Sequence, residues 1–178
     1  FLYGDGLFET IRFDNKRLFL PEKHLERLKS GLSAMNIVID KDDKEVLEIL
    51  NKIILSNSLD TGLLRLMITR GEISESPWNY KGIPNIYIKI RGISLRPASP
   101  VKIVFFPESN YPIIRFNPAI KSMNYIGNML AKKESSRLGA FEPVFYNSDQ
   151  IITECAIRNI FYIKNNILLT PNLNLGIL

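Results

Sequence analysis

The chain has 178 residues, 46% of them hydrophobic and 23% charged, which is the balance of a folded domain and excludes disordered, collagen-like and low-complexity proteins. The single cysteine cannot form an internal disulfide, and the single histidine argues against a zinc cluster and against Ser-His-Asp chemistry. No apolar run reaches the roughly 18 residues of a membrane helix and no signal-peptide pattern is visible, so we expect a cytoplasmic protein without a membrane partner.

The net charge of +5 arises in the second half of the chain. Residues 1–90 contain 13 basic and 13 acidic side chains, whereas residues 91–178 contain 10 basic and 5 acidic ones. This excess fits a nucleic-acid surface, a small anionic ligand or a solvated basic surface. Because the basic residues are scattered and are not interleaved with aromatic residues, we expect no nucleic-acid partner.

The first predicted elements are a hairpin and a helix. Residues 7–13 alternate between apolar and polar side chains as a strand does, and residues 17–20 supply its partner after a polar turn. Pro21 suits the first turn of a helix that continues to about Met35. The apolar stripe of this helix, with spacings of three and four residues, comprises Leu25, Leu28, Leu32 and Met35.

A second helix and two strands complete the first predicted lobe. The helix begins at about Asp42, and its apolar stripe is formed by Val46, Leu47, Leu50, Ile53 and Ile54. Strands are predicted at 62–69 and 85–91, with a loop at 71–84 between them. Residues 92–100 are rich in Gly, Ser and Pro and lack an apolar period, which predicts a linker between two lobes.

The second half mixes one helix with several strands. Residues 101–106 are predicted to form a buried strand, and residues 125–138 a helix that Gly139 ends. Short strands are predicted at 142–146, 151–153, 159–163 and 167–170. The sequence therefore predicts an α+β chain with a small N-terminal lobe at 1–91 and a larger C-terminal lobe at 101–178.

Lys121 is the residue whose surroundings are most unusual. It follows Pro118-Ala119-Ile120, directly precedes the predicted helix, and has no acidic residue within several positions. A lysine amine in apolar surroundings loses part of the solvation of its charged form, which makes the neutral nucleophile available. By contrast, His24 is interpreted as a packing or capping residue, because a lone helical histidine lacks partners for a proton relay or for metal ligation, and Cys155 is interpreted as a small buried hydrophobic residue.

Five segments in chain order stand out as motifs, namely residues 3–12, 24–28, 121–125, 152–161, and 169–171 together with 176–178. In this order they resemble the class IV aminotransferase family, the pyridoxal-phosphate enzymes of fold type IV. The resemblance implies a two-lobed fold like that of D-amino-acid aminotransferases, acting on a small amino substrate as a homodimer. Family chains continue into a helix N-terminus that binds the cofactor phosphate, so we expect the C-terminal lobe to be incomplete in this chain.

The resemblance also implies which residues hold the cofactor, pyridoxal 5'-phosphate. Lys121 would form a Schiff base with it and then move the proton at the substrate Cα. Glu154 would accept a hydrogen bond from the pyridine nitrogen, and Arg27 would bind the phosphate. Without the resemblance, Glu154 is interpreted as a solvent-exposed strand carboxylate and Arg27 as a surface salt-bridge partner of Glu22 or Glu26.

The remaining candidates are further cofactor contacts and substrate contacts. The resemblance places Tyr125 near the ring hydroxyl of the cofactor, Leu178 against the ring, and Asn159 in support of the turn that carries Glu154. The candidate substrate contacts are Tyr3, Phe8 and Arg65. Without the resemblance, Tyr125 and the two aromatic residues of the first strand are interpreted as core.

The motifs favour aminodeoxychorismate lyase over the transaminases of the family. Phe8-Glu9-Thr10 and Lys121-Ser122-Met123-Asn124-Tyr125 depart from branched-chain aminotransferases, and residues 71–76 lack the Arg-x-His motif of D-amino-acid enzymes. Thr153-Glu154-Cys155, in place of Thr-Glu-Gly, leans toward the lyase, which converts 4-amino-4-deoxychorismate to pyruvate and 4-aminobenzoate for folate synthesis. A transaminase of branched-chain or D-amino acids is the alternative, and a basic binding module is the distant non-enzyme alternative.

Overall fold

Strands and helices are mixed in both halves of the computed structural model, which describes residues 3–72, 76, 82–93 and 97–178. The chain divides into two compact units, the first with Phe1–Leu95 and Ile120–Met123, the second with Arg96–Ala119 and Asn124–Leu178. The α+β class is confirmed. Much of the predicted loop at 71–84 and the middle of the predicted linker at 92–100 lie outside the described residues.

The first unit contains a four-stranded antiparallel sheet. Its strands are β1 (Gly6–Asp14), β2 (Arg17–Leu18), β3 (Gly62–Thr69) and β4 (Asn85–Arg91), in the order β2-β1-β3-β4. β3 and β4 have the predicted bounds, but β2 has two residues instead of four. It is shorter because Leu20 already has a left-handed backbone, with φ 48°, as the cap of the helix that follows.

Two helices cover one face of this sheet. They are α1 (Pro21–Ala34) and α2 (Asp43–Ser56), and Asp42 and Glu45 form the capping box that starts α2. The core comprises Leu7, Ile11, Phe13, Leu25, Leu28, Leu32, Ile37, Val46, Leu50, Ile54, Leu64, Leu66 and Ile68. The predicted stripe of α1 therefore lies in or against this core, and so does that of α2 except for Ile53.

The second unit is built on a three-stranded sheet. Its strands are β5 (Ile103–Pro107), β6 (Glu142–Tyr146) and β7 (Ile152–Cys155), with β5 parallel and β7 antiparallel to β6. The helix α3 (Ile126–Arg137) packs on it around Ala131, Phe145 and Ala156, and β8 (Tyr162–Lys164) pairs with β9 (Ile167–Leu169). Within the described residues, no helix has both the length and the apolar character to cross a membrane.

Two predictions for the second half were wrong in detail. The strand predicted as buried at 101–106 is β5, an edge strand whose Ile103 and Phe105 are 40% and 50% exposed, because only β6 pairs with it. The strand predicted at 159–163 is β8, which begins at Tyr162. Residues 159–161 lie outside any strand, and they follow a turn that the N–H of Cys155 closes by donating to the carbonyl of Arg158 at 3.1 Å.

Candidate active site

Lys121 lies on a short extension of the first unit's sheet. The N–H of Phe8 donates to the carbonyl of Lys121 at 3.0 Å, and Ser122 forms an antiparallel bridge with Leu7. Side chains alternate between the faces of a strand. The buried Ser122 therefore lies on the core face with Leu7, whereas Lys121 lies on the opposite face with Phe8.

Gly6 allows this close approach of the two chain segments. The N–H of Met123 donates to the carbonyl of Gly6 at 2.9 Å. A Cβ at Gly6 would lie 2.7 Å from the Met123 Sδ and from the carbonyl oxygen of Ile68, which is closer than real Cβ contacts. The glycine of the opening motif thus has a steric reason, because a Cβ there would collide with the backbone of β3 at Ile68 and displace the Met123 side chain.

The structure brings together three of the predicted site residues on this face. The Lys121 Nζ lies 4.9 Å from the centroid of the Phe8 ring, and the Arg65 Cζ lies 5.1 Å from the same centroid. Arg65 Nε also donates to Thr10 Oγ1 at 3.3 Å. Each cation–π contact contributes about 0.5–1 kcal/mol at an exposed site. Phe8 therefore orients two cationic side chains at once, and Tyr3 lies exposed just before β1.

The same sheet face carries further basic residues that sequence reasoning missed. Lys89 lies directly opposite Arg65 in the pairing of β3 with β4, and Arg91 lies opposite Leu63. Like charges in directly opposed positions destabilise a sheet, so the Arg65–Lys89 pair lowers the stability of the fold. A bound anion would relieve this repulsion. The alternation of residues 85–91 indicates one charged face, but the β3–β4 register was needed to place it beside Arg65.

Arg27 lies on the opposite face of the sheet, which the helices cover, and there it binds the buried carboxylate of Glu9. Arg27 Nε donates to Glu9 Oε1 at 2.6 Å and Nη2 to Glu9 Oε2 at 2.7 Å, while His24 Nδ1 lies 2.8 Å from Oε2. The predicted surface partners of Arg27 were wrong, since Glu26 pairs with Lys23 at 2.9 Å and Arg27 pairs with Glu9. His24, interpreted as a packing or capping residue, contacts the same carboxylate, because α1 directs both side chains at Glu9.

Ionised Glu9 is stabilised by these two partners. Burial acts to raise the pKa of Glu9, but the hydrogen bonds and charges of His24 and Arg27 outweigh it and hold that pKa below its ordinary value of 4.5. A carboxyl whose pKa is lowered by folding adds stability above its unfolded pKa and loses it as the pH falls through the folded pKa.

Replacing Glu9 with glutamine should therefore have a pH-dependent effect on stability. We expect Glu9→Gln to lower the free energy of unfolding by about 2 kcal/mol at neutral pH, with the difference shrinking as the pH falls below 4.5. Urea denaturation over a pH series measures this. Glu48→Gln on the exposed side of α2 serves as the control and should change little. A deficit of constant size at every pH would contradict the role of the Glu9 charge.

Glu154 belongs to a cluster in the second unit. Arg115 pairs with Glu154 and with Glu108, and the Thr153 hydroxyl donates to Glu108 Oε1 at 2.7 Å. The side chain of Glu154 is 12% exposed, so the interpretation as a solvent-exposed strand carboxylate was wrong. It is covered because Arg115, which sequence reasoning missed, reaches it from the loop before residue 120. The backbone N–H of Leu178 also lies 3.5 Å from Glu154 Oε2.

The turn after Glu154 is held by another residue that the sequence did not indicate. Glu142, 3% exposed, accepts hydrogen bonds from Lys132 Nζ at 2.9 Å and from the N–H of Ile157 at 3.2 Å, and it pairs with Arg158. Asn159 lies exposed just beyond this turn.

The two other second-unit residues that the sequence singled out lie near these elements. Tyr125 caps the start of α3, where its carbonyl accepts the N–H of Met129 at 3.0 Å. Cys155 is buried as predicted, and burial, followed by the charge of Glu142, raises its pKa to about 11. A thiol with such a pKa stays protonated at neutral pH, so Cys155 is not suited to act as a nucleophile.

Comparison with known proteins identifies relatives along nearly the whole chain. A family described as amino-transferase class IV matches residues 6–178. The chain is 29% identical over 180 residues to a D-alanine aminotransferase of Listeria monocytogenes, covering 94% of this chain and 59% of that protein. It is 32% identical over 186 residues to an aminodeoxychorismate lyase of Bacillus subtilis, covering 100% of this chain and 62% of that protein.

A solved structure shares the fold. The branched-chain amino acid aminotransferase of Escherichia coli matches with a TM-score of 0.86 at 22% identity, covering 99% of this chain and 62% of that chain. At this identity the likeness concerns the fold alone. The chain spans 59% to 62% of the length of these relatives.

Proposed function

This chain belongs to the class IV aminotransferase family, and from that membership we propose that it acts on an amino substrate with pyridoxal 5'-phosphate, through Lys121. The observation that carries the proposal is the placement of the Lys121 amine. Its backbone is fixed by the hydrogen bond to Phe8, and its Nζ lies over the Phe8 ring on the cationic face of the sheet. A fixed amine beside an aromatic ring and a second cation is suited to serve as a nucleophile and base.

The chemistry of three residues fits the three polar ends of the cofactor. The Lys121 amine fits the aldehyde, and the Arg27 guanidinium, whose side chain is 34% exposed, fits the phosphate. Glu154 fits the protonated pyridine nitrogen. The formal charges of Glu108, Glu154 and Arg115 sum to −1, so a cationic N–H would neutralise this cluster.

Each residue has a distinct task in this proposal. When bound, pyridoxal phosphate supplies an electron sink that stabilises negative charge on the substrate. Lys121 holds the cofactor and then takes and returns a proton with Nζ, while Phe8 keeps that amine in place. Glu154 orients and charges the pyridine nitrogen. In this proposal Tyr125 lies near the ring hydroxyl of the cofactor, Leu178 lies against its ring, and Asn159 supports the turn that carries Glu154.

We favour aminodeoxychorismate lyase within the family. Its substrate, 4-amino-4-deoxychorismate, carries two carboxylates, and the sheet face beside Lys121 presents Arg65, Lys89 and Arg91. Lys121 would remove a ring proton, and elimination would release pyruvate and leave 4-aminobenzoate. The alternative is an aminotransferase, supported by the 29% identity to a D-alanine aminotransferase over 94% of the chain.

The family also leads us to propose a homodimer, which light scattering would test.

The substrate assignment is tested by following 4-aminobenzoate. Full-length protein with pyridoxal phosphate should form it from 4-amino-4-deoxychorismate without any amino acceptor. Amino transfer from D-alanine or L-leucine to 2-oxoglutarate, measured in parallel, should be slower. Arg65→Gln should lower kcat/KM for the dicarboxylate about tenfold, whereas Arg17→Gln, at an exposed position of β2, should not. Amino transfer without 4-aminobenzoate would overturn the lyase assignment and leave the transaminase.

A further inference from the structure

Glu9 occupies a position where β1 otherwise directs apolar side chains at the helices. Leu7 and Ile11, two residues to either side, belong to the core, and Glu9 has 0% exposure. A buried carboxylate is unfavourable unless it is paired and hydrogen-bonded. A hydrophobic residue would suit the packing at this position, so the charge of Glu9 calls for a function.

Both partners of Glu9 come from a single turn of α1. His24 and Arg27 are three residues apart, which places them on the same helix face. Arg27 contacts the carboxylate with Nε and Nη2, at 2.6 and 2.7 Å, and His24 contacts Oε2 at 2.8 Å. An ionised carboxylate accepts hydrogen bonds only, so His24 Nδ1 is the donor.

This bidentate contact fixes the plane of the Arg27 guanidinium. The group is flat and rigid, so fixing its Nε edge also fixes the direction of the Nη1 edge. The Arg27 side chain is 34% exposed, whereas Glu9 is buried. The same contact weakens the attraction of Arg27 for an anion, because the Glu9 charge opposes its own. The arrangement therefore gains orientation and loses charge.

We propose that Glu9 and His24 are positioning residues that hold the Arg27 guanidinium in the plane required to bind a phosphate monoester. This inference rests on the proposed phosphate role of Arg27. It assigns to Glu9 a function in which orientation matters more than net charge, and it gives the chain's single histidine a role as the second donor that keeps the Glu9 carboxylate from rotating.

Binding of inorganic phosphate to the full chain, freed of bound phosphate esters, tests the inference. Glu9→Gln makes the site more positive by one charge but removes the charged bidentate partner. If orientation matters, calorimetry should show phosphate binding about tenfold weaker in Glu9→Gln than in the wild type. Equal or tighter binding by Glu9→Gln would overturn the inference. Arg27→Lys, which keeps the charge but lacks the planar fork, should also bind about tenfold more weakly.

His24 variants keep the test decisive if Glu9→Gln folds poorly. His24→Gln retains an N–H donor and should bind phosphate within about twofold of the wild type, whereas His24→Leu should bind about fivefold more weakly. In the wild type, the imidazole signals of the only histidine should shift with the same saturation curve as the calorimetry. Equal binding by both His24 variants would overturn the positioning role of His24.

The outcomes separate this inference from the proposed function. Phosphate binding that is lost in Arg27→Lys but unchanged in Glu9→Gln and His24→Leu would leave Arg27 as the phosphate residue and remove the positioning role. Wild-type protein that does not bind phosphate at all would overturn both the phosphate role of Arg27 and the inference that rests on it. Formation of 4-aminobenzoate, measured separately, tests the activity without reference to either.

Discussion

Replacing Lys121 with alanine is expected to lower turnover of the amino substrate by at least about 10³-fold, because the residue is proposed both to hold the cofactor and to move the proton. The fold should survive, since the backbone of Lys121, and not its side chain, pairs with Phe8. The lost cation–π contact should cost about 0.5–1 kcal/mol of stability. Product formation, visible absorbance after addition of pyridoxal phosphate, and the thermal unfolding midpoint measure these effects.

Two controls separate the amine from the positive charge. Lys121→Arg keeps a cation over the Phe8 ring but has no amine to deprotonate, so it should be as inactive as Lys121→Ala and nearly as stable as the wild type. Lys52→Ala, at an exposed position of α2, should retain full activity and colour. Substantial turnover by Lys121→Ala would show that another group acts as the base.

Replacing Glu154 with glutamine is expected to lower turnover by at least about 10²-fold, because an amide cannot keep the pyridine nitrogen protonated. Glu108→Gln is the matched control, since both carboxylates pair with the same Arg115. Each variant should lose about 1–3 kcal/mol of stability through the weakened Arg115 contact. Only Glu154→Gln should lose most of its activity. Equal losses of turnover in both variants would mean that the cluster acts only on stability.

The sequence predicted the regular elements best where a local signal sets each boundary. β3 and β4 have the predicted bounds, and along β4 half-buried side chains alternate with exposed ones. The start of α1 follows from Pro21 and that of α2 from the capping box at Asp42. β5 was misjudged because a run of apolar residues does not reveal whether a strand has one neighbour or two.

The candidate site could be predicted only in part. Motif resemblance indicated Lys121, Arg27 and Glu154, but not the groups that hold them. Glu9 precedes Arg27 by 18 residues, and Arg115 precedes Glu154 by 39, so both contacts depend on tertiary packing. A glutamate at an apolar-facing position of an alternating strand was the one available signal for the Glu9–Arg27 contact. Nothing in the sequence indicates the contact between Arg115 and Glu154.

The return of residues 120–123 to the first unit has a consequence for dividing the protein. The chain passes from one unit to the other after Leu95, returns at Ile120 and leaves again after Met123, so no single cut yields both units whole. A fragment that ends before residue 120 would leave the edge of β1 unpaired at Gly6 and Phe8, whose backbone groups bond residues 121–123 in the intact chain. Such an open edge favours self-association. Residues 121–123 thus also cover a strand edge that would otherwise be open to pairing with another chain.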